Sequence, residues 1–262
     1  MTVMSDATIA ELGASLYDAR RSGVTVEPLT DAYPSMSVTD AYRVQQDLVA
    51  RLLADGDRIV GYKLGLTSAP MQRMFGIDSP DFAPVLASHV HADGAEVVAS
   101  AFIRPRVEAE IALVLGDNLA GPGCSELDVA AATSGAAAAI EIVDSRIAGW
   151  RIKLADTIAD LASSGAVVLG SAVPAGDIDL RLAEMVFTRD GEVIATGVGA
   201  AALGSPLHAT SWLVQTLDAF GQSLRAGQFV MTGALHAAVD VAAGQRYRAE
   251  IDRLGAVGLR IG

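Results

Sequence analysis

The chain has 262 residues, half of them apolar, a formal net charge of −12 and a single cysteine. This length and apolar content suffice for a substantial buried core and exclude a disordered chain. The negative balance, without any basic cluster, argues against nucleic acid or an anionic membrane surface as a partner and points to a small molecule. An acidic protein that takes an anionic substrate needs a local positive centre, which a bound cation can supply. Cys124 lies in the turn Gly121-Pro122-Gly123-Cys124-Ser125; it has no second cysteine to pair with and reads as structural. Met1 to Ala10 lacks the basic start and apolar run of a signal peptide, and no apolar stretch reaches the roughly 18 residues of a bilayer span, so a cytoplasmic protein is expected.

In chain order, Ile9, Leu12, Leu16 and Tyr17 fall at helical spacing from Asp6 to Arg21, and Gly23 ends the pattern. A second helix is capped by Ser37 or Thr39, places Ala41, Val44, Gln45, Leu48 and Leu52 on one side, and stops at Asp55-Gly56-Asp57. These helices define an N-terminal segment, residues 1–57, read as a lobe or a dimer arm. From Gly56 the pattern changes to short strands punctuated by Gly, Pro and Asp, so residues 58–262 form the catalytic, mixed-β unit. Strands are predicted at Arg58–Leu66, within Val85–Val98, at Glu108–Leu115, Ala136–Val143, Gly165–Gly170, Phe229–Thr232 and Tyr247–Ile251. Helical turns are predicted at Ala69–Phe75, Glu126–Ala132, Asp156–Ala162 and Pro206–Phe220. Met185–Thr188 and Val193–Thr196 make a hairpin around Asp190-Gly191. Many short strands with few helices imply an α+β fold with a rolled, mixed sheet. Neither a Gly-x-Gly-x-x-Gly loop after a strand nor a Gly-Lys-Ser/Thr loop is present, which argues against a nucleotide cofactor.

The segment from Val107 to Leu115 begins with strict polar and apolar alternation, so Glu108 and Glu110 share one strand face. Two carboxylates side by side repel unless a cation stands between them; on a solvent face the same pattern needs no ion. Glu141 lies inside the apolar run Ala136 to Val143, where an unpaired carboxylate is costly. Either it completes an all-oxygen set with Glu108 and Glu110, suited to Mg²⁺ or Mn²⁺, or it pairs with Arg106 or Arg146. Lys63, between Gly61 and Gly65, is either a surface lysine at a strand end or a cation with room for a substrate beside it. Thr232-Gly233 either offers a hydroxyl and an open N–H to a substrate carboxylate or is a strand-end turn. His89 and His91 read as surface residues, being soft ligands beside a hard-oxygen set, whereas His236 lies close enough to Thr232-Gly233 to line a pocket.

Six ordered motifs together resemble the hydratase/decarboxylase branch of the fumarylacetoacetate hydrolase superfamily. They are Gly61-Tyr62-Lys63-Leu64-Gly65-Leu66-Thr67-Ser68, Gly76-Ile77-Asp78-Ser79-Pro80-Asp81-Phe82, Pro105-Arg106-Val107-Glu108-Ala109-Glu110, Glu141-Ile142-Val143-Asp144-Ser145-Arg146, Asp156-Thr157-Ile158-Ala159-Asp160 and Met231-Thr232-Gly233-Ala234. The resemblance runs from about Tyr33 to the C-terminus. It implies a β-roll core of that family's C-terminal type with a small N-terminal helical region, and homo-oligomeric assembly. It implies Mg²⁺ or Mn²⁺ on Glu108, Glu110 and Glu141, with Lys63 and Asp78 as catalytic residues and Lys63, Thr232 and Gly233 at the substrate. The implied reaction is hydration of 2-hydroxypenta-2,4-dienoate to 4-hydroxy-2-oxopentanoate in meta-cleavage catabolism of aromatic compounds. The alternatives are decarboxylation of 4-oxalocrotonate (2-oxohex-3-enedioate), or a non-catalytic partner subunit that binds a 2-oxo acid. A decarboxylase needs a further cation for the second carboxylate, with Arg146, Arg151 and Lys153 as candidates. One departure stands out: Ala159-Asp160-Leu161-Ala162-Ser163 carries leucine where the family's usual motif has asparagine.

Overall fold

The computed structural model describes residues 4–262 apart from 69–71, 74, 75 and 78. The expected turns at Ala69–Phe75 therefore lie mostly outside the described residues. Helix α1 spans Asp6–Ser22, opened by the Ser5 side chain and closed by Gly23 in the left-handed conformation at φ 70°. A single turn, α2, covers Leu29–Ala32 after Pro28; it is too short to leave a periodic signal. Helix α3, Val38–Ala54, starts with a reciprocal cap in which Ser37 Oγ accepts from the Asp40 N–H and Asp40 accepts from the Ser37 N–H. Leu16, Val44 and Leu48 of these helices are fully buried in the main core, so the N-terminal segment shares that core.

The larger sheet is mixed. Its strands run in the order β2 (Asp81–Leu86), β1 (Ile59–Gly65), β10 (Phe229–Ala234), β5 (Arg106–Leu115), β6 (Thr133–Val143), β7 (Ser164–Leu169) and β3 (Val90–Ala92), and β11 (Val239–Asp240) pairs with β5. The smaller sheet runs β4 (Ala95–Val97), β13 (Gly255–Ile261), β12 (Arg246–Ile251), β8 (Glu184–Arg189) and β9 (Glu192–Val198). The β1/β10, β3/β7 and β4/β13 pairs are parallel. The β8–β9 hairpin turns at Asp190 and Gly191, both with positive φ (52° and 88°), the geometry a two-residue Asp-Gly loop favours. Strand β13 escaped the sequence reading because its glycines blur the alternation; pairing with β12 and β4 fixes it. The later helices are α4 (Glu126–Ala132), α5 (Leu154–Ala159) and α6 (Pro206–Asp218). Along α6, Leu213, Val214 and Leu217 are fully buried, while Leu207 is only partly so.

Strands β5 and β6 are buried on both faces, which explains their near-continuous apolar run. Val107, Ala109, Ile111, Ala138, Ile140 and Ile142 join the main core. Ala112 and Ala139 join a second, smaller cluster with Val85, Val167 and Met231. Strand alternation places Glu108, Glu110 and Glu141 on the side of this second cluster. Cys124 is buried and unpaired, and no described helix is long and apolar enough to cross a membrane. Ser37→Ala should cost about 1 kcal/mol by removing the α3 cap; urea denaturation with an unchanged midpoint would show that the cap contributes nothing.

Candidate metal centre and proton-transfer cleft

The register of β5 against β6 sets Glu108 directly opposite Glu141. Glu110, two residues along, shares their face, and one carboxylate oxygen from each of the three lies within 4.8 Å of the others. Among the described residues, Glu110 Oε1 and both oxygens of Glu141 are buried without a hydrogen-bond acceptor role. The nearest countercharge is Lys63 Nζ, 3.3 Å from Glu141 Oε2. Arg106 and Arg146 do not serve Glu141: Arg106 pairs with Asp240 at 2.8 Å and Arg146 with Asp160 at 2.6 Å. Buried, orphaned oxygens in a hard three-carboxylate set fit a divalent cation.

The electrostatics follow from this crowding. Burial and the Glu141 charge push Glu108 up to about 7, with Lys63 opposing. Glu110 is raised well above the ordinary range, by burial and then by Glu141. Glu141 is also raised by burial, against the pull of Lys63. Burial of Lys63 opposes its charge, yet the carboxylates of Glu141, Asp81, Glu110 and Glu108 outweigh it and hold its pKa above that of an ordinary lysine. Lys63 is therefore an ammonium at neutral pH, a donor and a clamp. Its Nζ also donates to the Ala162 carbonyl at 2.8 Å.

Asp81, on β2 opposite Gly65 of β1, is the carboxylate that the sequence reading overlooked. It is 1% exposed, and neither of its oxygens has a hydrogen-bond partner among the described residues. Burial raises its pKa while Lys63 lowers it. Glycine at position 65 makes the approach possible: a Cβ there would lie 2.2 Å from Asp81 Oδ1 and 3.4 Å from Lys63 Nζ. The expected Asp78 falls outside the described residues. The signal for Asp81 was in the same motif, three residues further on and at the start of a strand facing Lys63.

Thr232 and Gly233 lie beside the centre, but their donors are in use. Thr232 Oγ1 donates to the Ile111 carbonyl at 2.9 Å, and the Gly233 N–H donates to Glu110 Oε2 at 2.8 Å. In this geometry the Gly233 N–H holds Glu110, while the Thr232 hydroxyl is taken by the Ile111 carbonyl. Gly233 sits where the β10/β5 register shifts, at φ 114°, and a Cβ there would lie 2.1 Å from Thr67 Oγ1.

A cleft of about 420 Å³ opens over the centre, lined by Lys63, Asp81, Arg106, Trp150, Thr157 and Ser163, among others. An adjoining one of about 290 Å³ shares Gly65, Leu66 and Glu108 and is lined by His236. His236 Nε2 accepts from the Ala109 N–H at 2.9 Å, which leaves Nδ1 as the donor to the Ala237 carbonyl at 2.7 Å. Both ring nitrogens are committed, so His236 lines the pocket as a neutral imidazole. His89 is more than a surface residue: it is half-buried against Arg20, and burial with that neighbouring charge pushes it down to about 3. Of the cations considered for a second carboxylate, Arg146 is buried with Asp160, Arg151 is exposed and pairs with Glu27 and Asp31, and Lys153 is exposed.

Cations compete with protons for these carboxylates, so affinity for Mg²⁺ should fall as pH drops below about 7. The metal-free fold behaves in the opposite sense. Glu108 has a folded pKa near 7 and an ordinary value of 4.5, so its protonated form favours the fold at low pH and that contribution is lost as pH rises through 7. Added Mg²⁺ should therefore raise Tm more at about pH 8 than at about pH 6; equal shifts at both would contradict the shared site.

With the geometry in place, comparison with known proteins places it. The family model described as fumarylacetoacetate (FAA) hydrolase C-terminal matches residues 68–261. A 2-keto-4-pentenoate hydratase of Burkholderia vietnamiensis is 46% identical over 253 residues, covering 96% of this chain and 97% of that one. A 2-hydroxyhexa-2,4-dienoate hydratase of Comamonas testosteroni is 42% identical over 256 residues, covering 96% and 97%. Among solved structures, 4-oxalocrotonate decarboxylase from Pseudomonas putida G7, complexed with magnesium and adipate, superposes with a TM-score of 0.97 at 33% identity over the whole of both chains. The α+β fold with its N-terminal helical region is the one expected from the motifs, and the chain belongs to the fumarylacetoacetate hydrolase family.

Proposed function

We propose that this chain is a divalent-metal-dependent hydro-lyase that hydrates 2-hydroxypenta-2,4-dienoate to 4-hydroxy-2-oxopentanoate in the catabolism of aromatic compounds. The observation that carries this reading is the meeting of three carboxylates, two of them with unpartnered buried oxygens, with Lys63 and Asp81 beside one cleft. The hydratases at 42% to 46% identity over nearly the whole chain support it. Glu108, Glu110 and Glu141 would hold the ion, which supplies Lewis acidity to the carboxylate and 2-oxygen end of the substrate. We assign Mg²⁺ or Mn²⁺ from the hard oxygen set; the Pseudomonas putida decarboxylase has been obtained with magnesium and with calcium.

The chain's own groups supply the proton chemistry. Ketonisation moves a proton from the 2-hydroxyl to C5; hydration then places hydroxyl on C4 and a proton on C3. Lys63, held protonated by its carboxylate neighbours, offers N–H donors to the developing negative charge on the 2-oxygen. Asp81, with a raised pKa and unpartnered oxygens, carries protons between oxygen and carbon and orients the incoming water. It takes the part expected of an acidic residue from that loop. Thr157 and Ser163 share a hydroxyl contact at 3.1 Å on the cleft wall. Gly233 holds Glu110 in line with its partners.

The cleft favours hydration over decarboxylation through charges that it already pairs. Its other cation, Arg106, is already tied to Asp240 and stacked on Trp150 with 4.8 Å from guanidinium to ring centroid. A second substrate carboxylate would meet a guanidinium whose Nε already donates to Asp240 and whose charge Asp240 offsets. The same proposal includes homo-oligomeric assembly, which sedimentation equilibrium measures directly.

Turnover is followed by loss of the dienol's ultraviolet absorbance with added Mg²⁺ or Mn²⁺, alongside carbon dioxide release from 2-oxohex-3-enedioate. Metal-dependent hydration should dominate; decarboxylation without hydration would reverse the assignment, and a metal-loaded protein inert to both would leave a binding subunit. Glu108→Gln should weaken metal affinity by about ten-fold or more. Lys63→Met and Asp81→Asn should each lower kcat by about a hundred-fold or more with metal affinity largely kept. Full activity in either variant would remove that residue from the chemistry.

A further inference from the structure

We infer that the N-terminal helices clamp the turn that forms one wall of the cleft, with Arg20 of α1 as a positioning residue for the reaction. The turn is unusual in its backbone. Leu161, Ala162 and Ser163 follow one another at φ 53°, 49° and 54°, three non-glycine residues in the left-handed region that L-residues avoid. Such a run persists only where its surroundings over-determine it. Its inner side is functional: Ala162 and Ser163 line the cleft, and the Ala162 carbonyl receives Lys63 Nζ. A shift of this turn therefore removes the acceptor that aims Lys63.

The outer side is held by donors from several elements. Arg146 Nε and its backbone N–H both donate to the Asp160 carboxylate, at 2.6 and 2.8 Å, and its Nη2 donates to the Asp160 carbonyl at 3.0 Å. Ser145 Oγ donates to the same carboxylate at 3.3 Å and the Asp144 N–H to the Ser163 carbonyl at 2.8 Å. Further ties, to the turn and to the segments packed beside it, come from the first 57 residues. Arg20 Nη1 and Nη2 each donate to the Ser164 carbonyl at 3.1 Å, and Nη2 also to Gly165 at 3.3 Å. Gln45 Nε2 donates to the carbonyls of Ile158 at 2.8 Å and Phe82 at 3.0 Å, the latter adjoining Asp81. Thr30 donates its N–H and hydroxyl to Asp156 at 3.0 and 2.7 Å. Val26 exchanges backbone hydrogen bonds with Arg146 and Ala148 at 2.9 and 2.8 Å. Arg20 pairs with no carboxylate among the described residues. In a chain of net charge −12, this guanidinium is directed at the carbonyls that follow the left-handed run.

The test compares wild type with Arg20→Met, Arg20→Lys and Gln45→Met as full-length, Mn²⁺-loaded protein. Mn²⁺ affinity is measured by titration, kcat and KM are normalised to metal-binding sites, and amide exchange is followed over residues 157–166. Because the carboxylate triad sits on β5 and β6, Mn²⁺ affinity should stay near the wild-type value. Turnover per site should fall about ten-fold or more in Arg20→Met, with KM changed less, since a small displacement of a reacting group is costly. Exchange should rise over 157–166 while α1 and α3 stay protected, and Arg20→Lys should recover part of the loss. Turnover per site equal to wild type with only a lower Tm, Mn²⁺ affinity falling in parallel with kcat, or exchange rising across the whole chain would each overturn the inference. Gln45→Met reaches the same turn from α3 and carries the test if Arg20→Met does not fold. The inference rests on the proposed reading of the cleft. Wild-type protein without turnover would sink that reading, while amide exchange would still decide whether Arg20 holds the turn.

Discussion

Three carboxylates crowded on a sheet that is buried on both faces set the terms for the rest of this structure. With oxygens within 4.8 Å of one another, each like-charged pair costs on the order of 3 kcal/mol at an effective dielectric near 20. One ammonium, Lys63, stands against the three carboxylates and Asp81 and leaves a net negative charge that a divalent ion would offset. Without an ion the same strain emerges as raised pKa values, because protonation is the remaining way to remove charge. Unpartnered oxygens of buried acids on adjacent strands support the proposed site for a cation taken from solution.

Much of the local architecture keeps that arrangement in place. A register shift in β10 turns the Gly233 N–H onto Glu110, at a backbone angle and a proximity to Thr67 that allow no side chain. Gly65 leaves room for Asp81 to reach Lys63. Small residues, Ala112 and Ala139, floor the carboxylate face so that the longer glutamates fit between the strands. The carboxylate triad and the Lys63–Asp81 pair thus depend on two glycines and a β-bulge, features a small change in side-chain volume would disrupt.

The sequence revealed the parts of the site that repeat with strand geometry. Glu108 and Glu110 were legible from alternation, and Glu141 from the anomaly of a charge within an alanine-rich run. Asp81 was harder, since its place beside Lys63 depends on the pairing of β1 with β2. The donors of Thr232 and Gly233 looked open to substrate because a sequence does not show that Ile111 and Glu110 already take them. Helix ends were readable from Ser37 and Gly23, whereas β13 and the single turn at Leu29 depend on tertiary pairing and left no periodic trace. The left-handed run at Leu161 to Ser163 carries no glycine to announce it.

The proposed choice of substrate turns on the second cation of the cleft, Arg106, two residues before Glu108 on β5. The adipate found with the Pseudomonas putida decarboxylase carries carboxylates at both ends, and a site for such a ligand needs a cation free to meet the second one. In this chain Arg106 projects from the strand that also bears Glu108, yet Asp240 of β11 and the Trp150 ring already engage it. Truncating a substrate from a dicarboxylate to a monocarboxylate removes one charge, and satisfying Arg106 internally removes the matching need from the protein. An arginine paired in this way and stacked on Trp150 offers less to a second carboxylate than a free one, which suits the proposed uncharged dienoate tail. Under the proposed reading, the pairing of that one guanidinium is what sets hydration apart from decarboxylation in this chain.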